Sequence, residues 1–246
     1  MSGKFKKKAT GRPVHWIIWI LLLAVLTVAA IFIVRQNSQV SDNNAETSSE
    51  GQTEIESVEE VVLNLGNGLV ITDIGSYTGI FMEDGSDEIV SGVLMIVVKN
   101  QGEAPLQYAE INLGAGEESA NFSLSTIPVG SSVVVLERDR KEYEKNLEYT
   151  AADARNVVWF DSELSLCQDL IQIQPLDGAM NITNVSGKDI SENITIYYKN
   201  SSPDMLYGGI TYRVRLTDGL AAGEVRQIMS DHYSAKSSTV MFVTCG

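Results

Sequence analysis

The stretch Ile210-Thr-Tyr-Arg-Val-Arg-Leu216 alternates apolar and polar residues with the two-residue period of a β-strand. Ile210, Tyr212, Val214 and Leu216 share one face of such a strand. Other short runs have the same length and the same content of β-branched residues, and turn-forming residues separate them. These runs cover residues 61–63, 69–71, 79–82, 93–98, 133–136, 157–160, 170–173, 182–185, 194–198, 225–229 and 240–243. The pattern predicts an all-β fold.

The strand pattern also contains an internal repeat. The strand that ends in Lys99-Asn100 is matched by one that ends in Lys199-Asn200, and Ile-Pro-Val-Gly at 127–130 is matched by Leu-Ala-Ala-Gly at 220–223. Both offsets are close to the size of one immunoglobulin-like sandwich. We therefore predict two tandem immunoglobulin-like β-sandwich domains, at residues 61–160 and 165–246. The alternative is one larger mixed β domain.

One segment has a helical charge pattern. Residues 137–147 place opposite charges four positions apart, as in Glu137 and Lys141 or Arg138 and Glu142. A short helix and a solvated loop are both compatible with this pattern.

An unbroken apolar run covers residues 16–34 and precedes every acidic residue of the chain. As a helix it would be about 28 Å long, which is close to the hydrocarbon thickness of a bilayer. Residues 1–15 carry Lys4, Lys6, Lys7, Lys8 and Arg12 without an acid, the pattern that keeps a flank in the cytoplasm. We predict a cytoplasmic basic tail at 1–15 and a single transmembrane helix at 16–35. The alternative, a cleaved signal peptide, usually has a shorter apolar core.

Residues 36–60 are rich in Ser, Asn, Gln, Thr and Glu and have almost no large apolar side chain. Such a segment cannot bury enough apolar surface to offset its ordering entropy, so the sequence predicts a disordered acidic linker.

The chain after Arg35 is strongly acidic. Of the 18 Lys and Arg, six lie at or before Arg35, so 12 remain against 32 acids and the rest of the chain carries a net charge of −20. A field of this sign disfavours nucleic acid as a partner.

A family resemblance is carried by the second predicted domain. The block Asn184-Val-Ser-Gly-Lys-Asp-Ile190, the strand at 194–200 and Gly208-Gly-Ile-Thr-Tyr212 resemble membrane-anchored proteins of Gram-positive bacteria that carry small immunoglobulin-like modules. The resemblance implies an immunoglobulin-like fold and an extracytoplasmic compartment. That family has no settled activity, so no site residue is transferred.

The two cysteines flank the second predicted domain. Cys167 precedes its first strand and Cys245 follows its last. Terminal strands of a sandwich often lie close together, and an oxidising compartment permits a bond between them. The sequence predicts a Cys167–Cys245 disulfide, with two free thiols as the alternative.

Candidates for catalysis and ligand binding are few. His232 lies in Ser230-Asp231-His232-Tyr233-Ser234, which has the residue types of a hydrolase triad but neither a Gly-x-Ser-x-Gly nor a Ser-x-x-Lys motif. The acids around Gly85 at 82–88 lack the spacing of an EF-hand loop, and a hairpin tip explains them. No metal site, cofactor site or catalytic residue is therefore predicted. Five Asn-x-Ser/Thr sites would accept glycans only in a eukaryotic secretory pathway, and they begin at Asn121, Asn181, Asn184, Asn193 and Asn200.

The favoured function is a non-catalytic, membrane-anchored extracytoplasmic interaction or accessory protein of the bacterial cell envelope. Its partner would be a protein or the cell wall. One alternative is an envelope hydrolase that uses His232. The other is a cell-wall or carbohydrate-binding module with an exposed aromatic patch, for which the candidates are Tyr143, Tyr149, Tyr197, Tyr198, Tyr207 and Tyr233.

Overall fold

Thirteen β-strands lie within residues 62–245, as the alternating sequence pattern predicts. The computed structural model describes residues 62–245, and within this range there is no helix. The strands are β1 (Leu63–Gly66), β2 (Leu69–Ile80), β3 (Ile89–Asn100), β4 (Leu106–Ala115), β5 (Glu118–Ile127), β6 (Ser132–Leu136), β7 (Ala151–Trp159), β8 (Ile171–Leu176), β9 (Ala179–Asn184), β10 (Ile194–Ser202), β11 (Met205–Leu216), β12 (Val225–Met229) and β13 (Ser238–Cys245).

The predicted cytoplasmic tail at 1–15, transmembrane helix at 16–35 and linker at 36–60 lie outside the described residues. Among the residues that are described, no helix is long and apolar enough to cross a membrane.

The strands form three sheets. One has seven strands in the order β1-β2-β3-β6-β11-β10-β13, and the other two have three strands each, in the orders β12-β9-β8 and β5-β4-β7. All neighbouring pairs are antiparallel except β6 and β11, which are parallel through Leu206 opposite Val133 and Tyr207 opposite Val134. The seven-stranded sheet thus contains strands from both halves of the chain, and Ser57–Gly246 forms one compact unit.

Two sets of six strands have the same topology. The orders β2-β3-β6 and β5-β4-β7 in the first set correspond to β8-β9-β12 and β11-β10-β13 in the second. Leu69 lies opposite Asn100 in the first set, as Ile171 lies opposite Asn184 in the second. We name these sets the first repeat (β2–β7) and the second repeat (β8–β13). The predicted domain boundary between 160 and 165 falls between them and stays a prediction.

A buried asparagine has the same role in both repeats. The Asn100 side-chain amide donates to the carbonyls of Ala104 and Ile127, and the Asn184 amide donates to those of Lys188 and Leu220. Each asparagine thereby fixes the turn that follows its own strand to a distant loop, and each is almost inaccessible to solvent. Because both amide hydrogens of Asn184 are used in this way, the folded chain does not offer this residue as a glycan acceptor.

This equivalence corrects part of the sequence alignment between the repeats. The match of 127–130 with 220–223 is right, since the Gly130 N–H donates to the Asn100 carbonyl and the Gly223 N–H donates to the Asn184 carbonyl. The match of Asn100 with Asn200 is wrong, because Asn184 occupies the place of Asn100. The Lys-Asn dipeptide indicates a false match between the repeats, because it occurs in β3 and β10, which are not equivalent strands.

Two further outcomes concern local structure. Residues 137–147 form a loop with turns, so the loop alternative is the right one. Glu137 is fully buried and accepts backbone N–H groups of Asn121, Asp139 and Lys141, which fixes the loop without helical hydrogen bonds. Strands β4 and β5 were absent from the predicted set.

Two apolar cores lie between the sheets, and Leu206 and Met241 of the second repeat also contribute to the first core. The first core includes Leu69 and Val98 from one sheet and Ile111 and Phe122 from the other. The second core joins Ile182 of β9 to residues of β10, β11 and β13. Inward-facing apolar residues on facing sheets account for this arrangement.

Candidate functional site

The two repeats meet through elements that are longer in one repeat than in the other. Strands β2 and β3 have 12 residues each, whereas their counterparts β8 and β9 have six each. Strand β11 has 12 residues, and its counterpart β5 has 10. The extended β2–β3 hairpin reaches the second repeat, and the start of β11 reaches β6 of the first. We name their contact region, centred on Glu83, Lys199 and Gly209, the inter-repeat joint.

Glu83 lies in the loop between β2 and β3 and accepts two backbone hydrogen bonds from different repeats. Its Oε1 accepts the N–H of Leu136 at 2.9 Å, and its Oε2 accepts the N–H of Gly209 at 2.7 Å. Burial raises the pKa of Glu83 to about 7, while the two hydrogen bonds and the charge of Lys199 act in the opposite direction. The carboxylate therefore connects the edge of β6 to β11.

Lys199 is a fully buried lysine on β10. Its Nζ donates to the carbonyls of Gly208 and Ile210, each at 2.7 Å, and to that of Gly209 at 3.2 Å. Burial lowers the pKa of Lys199 to about 7, and the Glu83 carboxylate acts to raise it. Three carbonyl acceptors match the three N–H donors of an ammonium group, so the site is built for the protonated form.

Gly209 is required by the closeness of the two repeats. A Cβ at this position would lie 1.8 Å from the carbonyl oxygen of Ser123 on β5 and 2.8 Å from Glu83 Oε2. The Ser125 hydroxyl donates to the Gly209 carbonyl at 2.8 Å and lies 2.9 Å from the Thr211 hydroxyl. Backbone contact of this kind leaves no space for a side chain.

The acidic loop at 82–88 is also part of this contact region. Arg140 pairs with Asp84 at 3.0 Å and with Glu88, and its guanidinium lies 4.4 Å from the centre of the Phe81 ring. These acids therefore bind a side chain of their own repeat. Within residues 62–245, no three His, Cys, Asp or Glu side chains are grouped so that they could hold a metal ion.

His232 contacts the acidic loop at 82–88, and the sequence does not predict this contact. Its Nδ1 is 3.1 Å from Asp87 Oδ2 but makes no hydrogen bond of good geometry, and its ring stacks on Tyr212 with centroids 4.9 Å apart. The nearby Ser230 hydroxyl is 2.6 Å from the Tyr198 hydroxyl. In the described part of the chain, no serine or threonine hydroxyl is hydrogen-bonded to His232. The structure thus brings a histidine and a carboxylate together.

The structure brings the two cysteines together. Both are half-buried free thiols beside the second core, and the Cys167 thiol donates to the Val243 carbonyl at 3.5 Å. Burial, together with a hydrogen bond with Cys167, raises the pKa of Cys245 to about 12. The Cys167–Cys245 disulfide stays a prediction, and the two side chains are in contact.

The candidate tyrosines are divided among different parts of the structure. Tyr143 and Tyr149 pack against the first core, and Tyr198 and Tyr233 are buried in the second. Tyr197 stacks on Phe242 with centroids 4.1 Å apart, and Tyr207 packs on a third apolar cluster beside the joint. The six therefore serve separate packing roles and do not make one aromatic platform.

Comparisons of the chain with protein-family models, with curated proteins and with solved structures found no match. The resemblance to envelope proteins with immunoglobulin-like modules therefore remains an expectation from the sequence. Any function must be argued from the residues of this chain.

Proposed function

We propose that this chain is a non-catalytic, membrane-anchored interaction or accessory protein of the bacterial cell envelope, with its β-rich body outside the cytoplasm. The apolar run at 16–34, the basic flank before it and the acidic body after it support this topology. The linker at 36–60 would act as a spacer and hold the body roughly 25–30 Å from the membrane.

In this proposal each repeat is an immunoglobulin-like β-sandwich. The strand orders support this, because β2-β3-β6 corresponds to the A-B-E sheet of such a fold and β5-β4-β7 to a C′-C-F sheet. The second repeat has the same orders. Modules of this type present edges and loops to other proteins from a rigid framework.

One observation carries the proposal of a non-catalytic role: the ionisable side chains at the joint bind groups of the protein itself. Glu83 binds backbone N–H groups of both repeats, Lys199 binds carbonyls of β11 within its own repeat, and His232 is stacked on Tyr212 beside Asp87. A rigid connection between two modules suits a protein that presents binding surfaces at a fixed spacing.

The contact between His232 and Asp87 favours a hydrolase as the second candidate. This alternative needs a nucleophile from outside the described residues or from a partner. If it holds, His232→Gln should abolish hydrolysis of an envelope substrate such as peptidoglycan while the free energy of unfolding changes little. If wild-type protein and the variant are equally inactive, the interaction role is favoured.

The proposed topology and role can be tested in intact cells. Protease added outside should digest the body after residue 36 and leave the tail at 1–15 protected. Chemical crosslinking followed by affinity purification should then recover a defined envelope partner. The control is a chain that keeps residues 1–60 and lacks the body. Protection of the body, or equal recovery by this control, would contradict the proposal.

A further inference from the structure

An extra strand completes one edge of the first repeat. Strand β1 pairs antiparallel with β2, with Leu63 opposite Ile71, and the Val62 N–H donates to the Ile71 carbonyl at 2.9 Å. Leu65 is 7% exposed and belongs to the first core. The edge of β2 is therefore covered by a short strand whose alternate residues are leucines.

The equivalent edge of the second repeat is uncovered beyond Ile171, whose N–H donates to the Cys167 carbonyl at 2.9 Å. The shared register makes Ile173 of β8 the counterpart of Ile71, because Ile173 lies opposite Ile182 as Ile71 lies opposite Val98. Within residues 62–245, β8 pairs with β9 alone. The residues in the place of β1 are 165–167. Ser165 binds the other sheet, since the Val243 N–H donates to its carbonyl, and the Cys167 carbonyl bonds to the start of β8.

A groove follows this uncovered edge. It has a volume of about 530 Å³, and Ile171, Ile173 and Pro175 of β8 line one wall, with Tyr233 and Val240 on the opposite wall. Its walls are mostly apolar, and the exposed β8 residues beside it, Gln172 and Gln174, carry no charge. Pro175 has no N–H to donate, which suits an edge strand. Because the Ile171 N–H is already bonded to Cys167, pairing is centred on Ile173.

We infer that this groove binds a short extended strand of a partner protein, antiparallel to β8 and with apolar side chains at alternate positions. The occupant's chemistry follows from the first repeat, where Leu63-Asn64-Leu65 fills the equivalent place. Hydrogen bonds between the backbones of the partner strand and β8 would supply affinity. The groove would select the partner's side chains at alternate positions. The inference deepens the proposed interaction function and rests on it.

The test uses the full-length chain in detergent micelles and a fluorescein-labelled peptide with the sequence Val-Val-Leu-Asn-Leu-Gly of residues 61–66. Fluorescence anisotropy should show saturable binding. Ile173→Arg, which places a charge in the groove, should weaken binding at least tenfold. The matched control is Val225→Arg, on the exposed edge strand β12 of the same sheet, and it should bind as wild type does.

Three results with the peptide would overturn the inference. They are the absence of saturable binding, equal binding of a scrambled peptide, and photo-crosslinks from the peptide to β2 in place of β8. If Ile173→Arg fails to fold, Val240→Arg on the opposite wall replaces it with the same expected loss. Concentration-dependent dimerisation that the peptide does not inhibit would assign the groove to a second copy of the chain, which also overturns the inference.

These failures can be distinguished from failure of the proposed function. A peptide that does not bind, together with an externally accessible body and a crosslinked partner, would reject the groove alone. A body protected from external protease would reject the proposed function whatever the peptide does.

Discussion

Removing the ammonium group of Lys199 should destabilise the whole folded unit. Lys199→Met keeps a long apolar side chain but cannot donate to the carbonyls of Gly208, Gly209 and Ile210. The Gly209 carbonyl keeps the Ser125 hydroxyl as a donor. Two buried carbonyls then lose a donor.

The expected magnitude follows from these contacts. Each buried acceptor left without a donor costs about 1–3 kcal/mol, so two give about 2–6 kcal/mol. Removing a buried charge offsets part of this cost, because the ammonium no longer has to be desolvated. We expect a loss of about 3 kcal/mol in the free energy of unfolding. For a unit of this size it corresponds to a fall in Tm of about 6–12 °C.

Urea unfolding of the purified full-length chain in detergent, followed by near-ultraviolet circular dichroism, measures this loss. Lys188→Met is the matched control, because Lys188 is exposed and its substitution should change stability by no more than about 0.5 kcal/mol. A double-mutant cycle with Glu83→Gln should give a coupling energy of about 0.5–3 kcal/mol. A loss below about 1 kcal/mol for Lys199→Met would refute the assigned role of this residue.

Three further predictions concern the joint and the cysteines. Because burial raises the pKa of Glu83 to about 7, the folded chain binds more protons than the unfolded chain between about pH 4.5 and 7. Stability should therefore fall as pH rises through this window, and unfolding curves at pH 5 and 7 should show a smaller difference for Glu83→Gln than for wild type. An equal difference would exclude Glu83 as its origin. Gly209→Ala would place a methyl group on the Ser123 carbonyl, so it should lower Tm strongly; a Tm equal to that of wild type would contradict the described backbone contact. Finally, oxidised, denatured protein should show no thiol that reacts with a maleimide if Cys167 and Cys245 are bridged, whereas two reactive thiols per chain would exclude the disulfide.

Most individual strands could be predicted from local sequence, and the exceptions have a clear cause. In β11, Tyr212 and Val214 pack against the second core while Arg213 and Arg215 are exposed, as alternation predicts. Strands β4 and β5 were missed because small and polar residues interrupt their apolar pattern. Ala109, Ala115 and Ala120 occupy core positions there without a strong apolar signal.

The candidate site was less predictable than the strands. The sequence identified the acidic loop, His232 and the cysteine pair as separate features, without a spatial relation among them. It gave no reason to place His232 beside Asp87, and it did not single out Glu83 or Lys199. A lysine in a strand looks like a surface residue until the fold surrounds it with carbonyl groups.

The sequence by itself determined the all-β class, most strand positions, the sites of many turns and the charge asymmetry along the chain. These properties depend on neighbouring residues, whose alternation and backbone preferences act over a few positions. Only the tertiary structure decided that Asn184 is the counterpart of Asn100, that β6 pairs with β11, and that Glu83 meets Gly209. Such contacts join residues far apart in the chain, and they form only when both repeats have folded and the β2–β3 hairpin can reach β11.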